Sequence, residues 1–276
     1  MYRFSSGKGA PRTPSLVRDK GNSVSDRLPA QHRSMPDVWA RLMLWVLVIF
    51  STATTNGAEI SGRVRLDGKP PPEKIVDLTD YPDVAKAYPH LVGKLSTRHY
   101  VVGEDGGLAN VFVYIKEGLS GQAFPPTTNA VVLNQTNGVF DPYVLGIRTQ
   151  QTLIVRNSEP YLDNPQCEST NNKPFNFAQP ITGMTSRHAF DRPEVLIRVK
   201  CGIHPWEFAF IGVVEHPFFA VTGKDGRYAL PAGLPPGKYV IEAVHPKAGR
   251  LTREVTVAAD KAQTVDFTFT LPASKK

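Results

Sequence analysis

Cys201, His204 and Glu207 fall within one short run, K-C-G-I-H-P-W-E, spanning Lys200–Glu207. A thiolate, an imidazole and a carboxylate are each able to hold a borderline transition metal. Sulfur and imidazole together suit copper, and zinc accepts all three donor types. Such donors work only if something rigid aims them at one point. The flanking residues supply it: Val195–Lys200 and Phe208–Val214 are rich in β-branched and aromatic residues and read as two strands around a tight loop.

The chain that must build this hairpin has 276 residues, 41% hydrophobic and 21% charged, ordinary values with room for two small domains. Twenty-four prolines and 22 glycines, with no long stretch of apolar residues at helical spacing, predict an all-β protein of short strands and turns. The net charge of +7 is unevenly spread. Residues 1–41 carry eight Lys or Arg against Asp19, Asp26 and Asp37, which accounts for five of the seven charges. The near-neutral remainder excludes nucleic acid as a partner.

Leu42–Phe50 is an unbroken apolar run behind Arg41, followed by small residues through Ala58. It is too short to cross a bilayer and matches the core of a signal peptide, expected at about residues 35–58, with Met35 as an alternative start and cleavage after Ala53 or Ala58. No retained transmembrane helix is expected, and the mature chain is expected in the periplasm or secreted. The two cysteines, Cys167 and Cys201, are a candidate disulfide in that compartment, and pairing would remove Cys201 from metal.

Along the chain, Glu59–Leu66 alternates as a strand and turns at Asp67-Gly68. Residues 73–98 read as irregular with a short helix near Pro82–Ala87. Leu108–Ile115, Ala130–Leu133, Tyr143–Ile147 and Thr152–Arg156 read as strands, and residues 157–180 as a long loop. Turn dipeptides at Asp225-Gly226 and Pro236-Gly237 punctuate the last part, where Tyr239, Ile241 and Ala243 alternate toward a core. Tyr228 and Tyr239 are expected in that core. His216 and His245, both in His-Pro contexts at strand ends, are expected to be structural, hydrogen-bonded residues.

The wording K-C-x-x-H-P-W resembles a family of bacterial secreted proteins in which a cupredoxin domain is joined to a carboxypeptidase-regulatory-like sandwich. Gln135, Gly138 and Pro142 fit that pattern, as do Asn157, Ser158, Pro160, Asn164, Phe175 and Asn176. K-D-G-R-Y and P-P-G-K-Y-V-I resemble the turn-strand signatures of the regulatory-like, carbohydrate-binding-like sandwich. The resemblance implies a cupredoxin-like Greek-key sandwich plus a carboxypeptidase-regulatory-like, or transthyretin-like, β-sandwich. It divides the chain into a leader (1–58), a first strand and connector (59–107), a cupredoxin-like domain (108–215) and the regulatory-like sandwich (216–271). Gly62–Gly68 matches the opening strand of that last fold, so residues 59–68 are expected to complete it across an insertion.

The resemblance also implies a ligand set: Asp163, Cys201, His204 and Glu207, supported by Asn164 and Trp206. Two of the four depart from the family. Asp163 replaces an imidazole and Glu207 a thioether; Gln166 and Tyr143 stand at two further positions where the family has His. Both ligand changes favour Cu(II) over Cu(I). The leading expectation is therefore a degenerate site without metal on a non-catalytic binding scaffold. The alternatives are a copper or zinc binder, or a blue-copper electron carrier in which His188 supplies the second imidazole. The partner would be a redox or cell-envelope protein, or a polysaccharide stacked on Trp206. Enzyme readings of H-P-W-E as a zinc motif, or of Cys201 with His204 as nucleophile and base, lack the further groups that such catalysis needs.

Overall fold

A computed structural model describes residues 58–259 and 261–271; the leader and the signal core, through residue 57, lie outside the described residues. Among the described residues no helix is long and apolar enough to cross a membrane.

The chain is all-β, as its turn-rich composition predicts. It opens with β1 (Ile60–Asp67), the one-and-a-half-turn helix α1 (Pro82–Ala87) and β2 (Phe112–Glu117). Then come β3 (Val131–Thr136), β4 (Val139–Asp141), β5 (Val144–Arg148), β6 (Leu153–Asn157), β7 (Pro165–Cys167), β8 (Thr185–His188), β9 (Glu194–Cys201) and β10 (Phe208–Val214). The last part holds β11 (Phe219–Val221), β12 (Arg227–Ala229), β13 (Gly237–His245), β14 (Gly249–Val257), β15 (Gln263–Thr264) and β16 (Phe267–Thr270).

Two lobes result. In the first, β1 lies between β12 and β15, pairs in parallel with β16, and faces a second sheet ordered β11-β2-β13-β14. Alternation along β1 sends Ile60, Val64 and Leu66 inward to meet Val113, Ile115, Ile241, Phe267 and Phe269 in one apolar core, with Tyr228 and Tyr239 inside it. In the second lobe, sheets ordered β5-β10-β9-β7 and β4-β3-β6-β8 enclose Leu133, Ile147, Val155, Ile197, Val199 and Ile211. The second lobe interrupts the first in sequence.

One boundary is corrected. Residues 108–117 were expected in the cupredoxin-like domain, but β2 pairs antiparallel with β11 and β13 and belongs to the first lobe. The resemblance drew that boundary, and the alternation of a strand could not correct it, because it shows which face is buried and not which sheet receives it. The long loop 157–180 likewise contains β7, three residues added to the edge of β9.

The lobes are joined by a third apolar cluster that includes Phe112, Tyr143, Val144, Phe208 and Val244. Gly146 on β5 and Gly212 on β10 are register partners. Together they leave a flat hollow for Phe112: a Cβ on Gly212 would stand 2.6–2.7 Å from its ring. Opposite Gly212, β9 carries an extra residue relative to β10, and Leu196 adopts a φ of 61° there. A bulge of this kind bends the strand and increases its twist.

Candidate metal centre

The hairpin between β9 and β10 is closed by its own backbone. Cys201 N–H donates to the Glu207 carbonyl at 2.9 Å, and Glu207 N–H to the His204 carbonyl at 3.0 Å. This folds the loop so that Cys201, His204 and Glu207 all point inward. The N–H groups of Ile203 and His204 both aim at Cys201 Sγ, each at 3.4 Å, an arrangement suited to a sulfur carrying negative charge.

Asp163 arrives from the β6–β7 connection. It follows β6 and is held by a double backbone pairing with Gln179, Asp163 N–H to the Gln179 carbonyl at 3.2 Å and the reverse at 2.7 Å. Asn157 secures the turn before it: its Nδ2 donates to the carbonyls of Tyr161 and Gln179. Asn164 ties the two loops together, because its carbonyl accepts Gly202 N–H at 2.9 Å while its Nδ2 donates to Asn176 and Phe177.

The four predicted residues therefore meet. His204 Nδ1 lies 2.9 Å from Asp163 Oδ1, 3.4 Å from Glu207 Oε1 and 3.6 Å from Cys201 Sγ. One donor atom from each residue lies within 4.8 Å of the others. Tetrahedral bonds of about 2.0–2.3 Å separate ligand atoms by about 3.3–3.8 Å, so the cluster is near the size for one ion. All four residues are buried, with Cys201 the least enclosed at 3% exposure.

Burial makes this cluster costly without a cation. Desolvation, followed by the charge of Asp163, pushes the Glu207 carboxyl well above the usual carboxylate range. Desolvation, with Glu207 next, pushes the Cys201 thiol up to about 12. Asp163 Oδ2, Glu207 Oε1 and His204 Nε2 are buried without a hydrogen-bond partner. Nε2 lies on the far side of the His204 ring, 4.0 Å from Asp83 Oδ2, but the two carboxylate oxygens belong to the cluster. Buried polar atoms normally find partners, and these two oxygens mark a place where an ion fits the donors present.

A supporting layer surrounds the four. Gln135 on β3 donates to Glu207 Oε2 at 3.3 Å. Buried Glu159 accepts Gly138 N–H and the Tyr88 hydroxyl. The rings of Tyr81, Tyr161 and Trp206 lie 5.8, 5.2 and 5.3 Å from the His204 ring. Trp206 is fixed by its own indole N–H, donated to the Gly138 carbonyl at 2.9 Å. Gln135 and Trp206 were visible as motif residues. Tyr81 and Tyr161 carry no sequence signal, since nothing local says that an upstream tyrosine folds over the hairpin.

Other expected residues lie elsewhere. His188 is on β8, stacked on Phe175 at 4.0 Å and Phe177 at 5.2 Å and bonded to Ser186, so it is not the second imidazole. Gln166 turns away to bond Asn164 at 2.7 Å. Tyr143 is buried in the junction between the lobes. His216 Nε2 contacts the Ile115 carbonyl at 2.8 Å, and His245 Nδ1 accepts two backbone N–H groups.

The candidate disulfide is not formed: Cys167 and Cys201 are separate, buried thiols. On adjacent strands Cys201 faces Pro165 while Cys167 faces Val199, so the cysteines are diagonal neighbours. Such pairs stand about 7–8 Å apart, beyond the usual disulfide reach of about 4.4–6.8 Å.

No protein-family model matches the chain, and no curated protein does. Among solved structures, a copper-containing nitrite reductase from Thermus scotoductus is 21% identical over 36% of this chain, with a TM-score of 0.30; the match spans 25% of that protein. A purple cupredoxin from Nitrosopumilus maritimus is 24% identical over 30% of this chain and 97% of its own, with a TM-score of 0.26. An oxidized mutant of amicyanin is 14% identical over 30% of this chain and 81% of its own, with a TM-score of 0.28.

Proposed function

We propose that this is an exported, non-catalytic protein whose cupredoxin-like lobe holds one divalent cation, Cu(II) or Zn(II), on Asp163, Cys201, His204 and Glu207. The observation that carries the reading is the meeting of Asp163 with the Cys201 hairpin: a carboxylate from the β6–β7 connection within 3.5 Å of a thiol and 2.9 Å of an imidazole of the β9–β10 hairpin. An emptied pocket, the leading expectation from sequence, would hold one of the two carboxylates protonated or let them splay toward water. These are wholly buried instead.

The donor set selects the ion. Two carboxylates and a thiolate give a strongly anionic cage that favours a dication over Cu(I). Four protein donors with no solvent path leave no open position for a substrate, the pattern of a structural site and not a catalytic one. Only one imidazole belongs to the cluster among the described residues, which disfavours an electron carrier of the blue-copper kind. The setting is the periplasm or the cell exterior, and the partner an envelope protein or polysaccharide.

The test is metal analysis of purified protein after dialysis against metal-free buffer, then after reloading with Cu(II) or Zn(II). One equivalent should be retained by the native chain and lost in Asp163→Ala and Cys201→Ser. A folded native protein that retains neither metal after reloading sinks the proposal.

A further inference from the structure

A groove of 720 Å³ opens beside the hairpin, where residues 74–81, the β9–β10 hairpin and the β13–β14 turn come together. Its size is that of a small-molecule site, typically about 300–1,000 Å³. Its walls are aromatic. Phe208 is stacked by His99 with ring centroids 5.5 Å apart, and the Arg198 guanidinium lies 5.3 Å from the centroid of the same ring. Trp206 lines the groove with its N–H already committed to Gly138, so it offers a ring face or edge and no donor.

Its charge is positive. Lys74, Arg198 and Lys247 reach the groove from three separate segments, against Asp77 alone among the acidic lining residues. Lys74 and Lys247 have no carboxylate partner among the described residues. Glu73, the nearest alternative, is consumed by Thr97 and by the N–H groups of His99 and Tyr100. The field is felt at the floor: burial foremost, then Lys247, Lys74 and Arg198, hold His99 below its ordinary pKa against the pull of Glu73. His99 Nδ1 has no partner there.

We propose that this groove binds a small carboxylate carried on a ring with one apolar face, an aromatic acid or a uronic acid. The ring would lie against Trp206, because His99 and Arg198 already cover Phe208, and the carboxylate would face Lys74 and Lys247. Aromatic walls alone would accept any apolar body, and cations alone any anion. The two together select a molecule that has both. This assignment does not depend on which metal, if any, the neighbouring centre holds.

Titration calorimetry on the full chain, with 4-hydroxybenzoate and glucuronate as probes and benzyl alcohol and acetate as controls, tests it. At least one acid should bind at one site, more tightly than either control by about tenfold, and weaken as salt is raised. Binding of hydroxybenzoate alone assigns aromatic acids; of glucuronate alone, acidic sugars. The double variant Lys74→Ala/Lys247→Ala, altering exposed side chains only, should lose about tenfold or more in affinity with its melting temperature unchanged. No binding by either acid, equal binding by benzyl alcohol, or affinity unchanged in the double variant overturns the assignment.

Discussion

His204 Nδ1 stands 2.9 Å from Asp163 Oδ1, and neither side chain has any exposed surface. A carboxylate thus occupies the place where a second imidazole would complete a copper-thiolate centre. Asp163→His, alone or with Glu207→Met, should convert the Cu(II)-loaded protein from pale to intensely coloured through thiolate-to-copper charge transfer. Absorption spectra of the loaded variants check this. A native protein that is already intensely blue would mean that the oxygen donors do not bind.

Residues 73–98 form a strap across the centre. Its ends are clamped by Glu73 on Thr97, His99 and Tyr100, and its middle rests on an apolar cluster of Val76, Leu78, Val84, Leu95 and Tyr161. Tyr81 places the strap directly against His204. Leu95→Ala should destabilise the protein by about 2–5 kcal/mol and loosen this cover. Metal transfer to a chelator should then be faster while the stoichiometry stays at one. Equal transfer rates in native and variant protein would show that metal leaves by another route.

Gly146 and Gly212 make the hollow that seats Phe112. A methyl group at Gly212 meets the ring of fully buried Phe112. Gly212→Ala should cost about 1–3 kcal/mol by overpacking. Denaturant titration should give a lower midpoint, and Gly212→Ala/Phe112→Leu, which shortens the opposing side chain, should recover part of the loss.

His245 is held down to about 4 by burial, with the charge of His99 second. A histidine depressed in the folded state binds fewer protons folded than unfolded. Its contribution to stability is therefore whole above its ordinary value of 6.5 and is lost as pH falls toward 4. The loss attributable to this residue is on the order of 3 kcal/mol. His245→Asn, which keeps an acceptor for the N–H groups of Lys247 and Ala248, should flatten that limb of the pH–stability curve. An NMR titration midpoint for His245 near 6.5 would contradict it.

Much of this architecture was legible in the residues. Hairpin strands around Cys201 announced themselves by β-branched content, and the proline at the start of 82–87 marked the one α-helix among the described residues. Cys201, His204 and Glu207 are close in sequence, so their convergence needed only one tight loop. Asp163 came through resemblance, because a residue 38 positions away is brought in by sheet pairing that no local pattern encodes. The strap, the Phe112 seat and the cationic groove were illegible for the same reason: each is a contact between segments distant in the chain, and hydrophobic alternation says that a face is covered without saying by what.

The interruption of one lobe by the other fixes an order of events during folding. Arg63 donates its backbone N–H to Asp266, 203 residues further on, and β1 lacks its parallel neighbours until β15 and β16 exist. The opening strand must therefore wait, unpaired on that side, until nearly the whole chain is available to fold. The nested lobe between residues 131 and 214 has all its strands long before then. A chain truncated short of Gln263 would carry a finished nested lobe beside an unzipped sheet edge, and would be prone to pair with its neighbours.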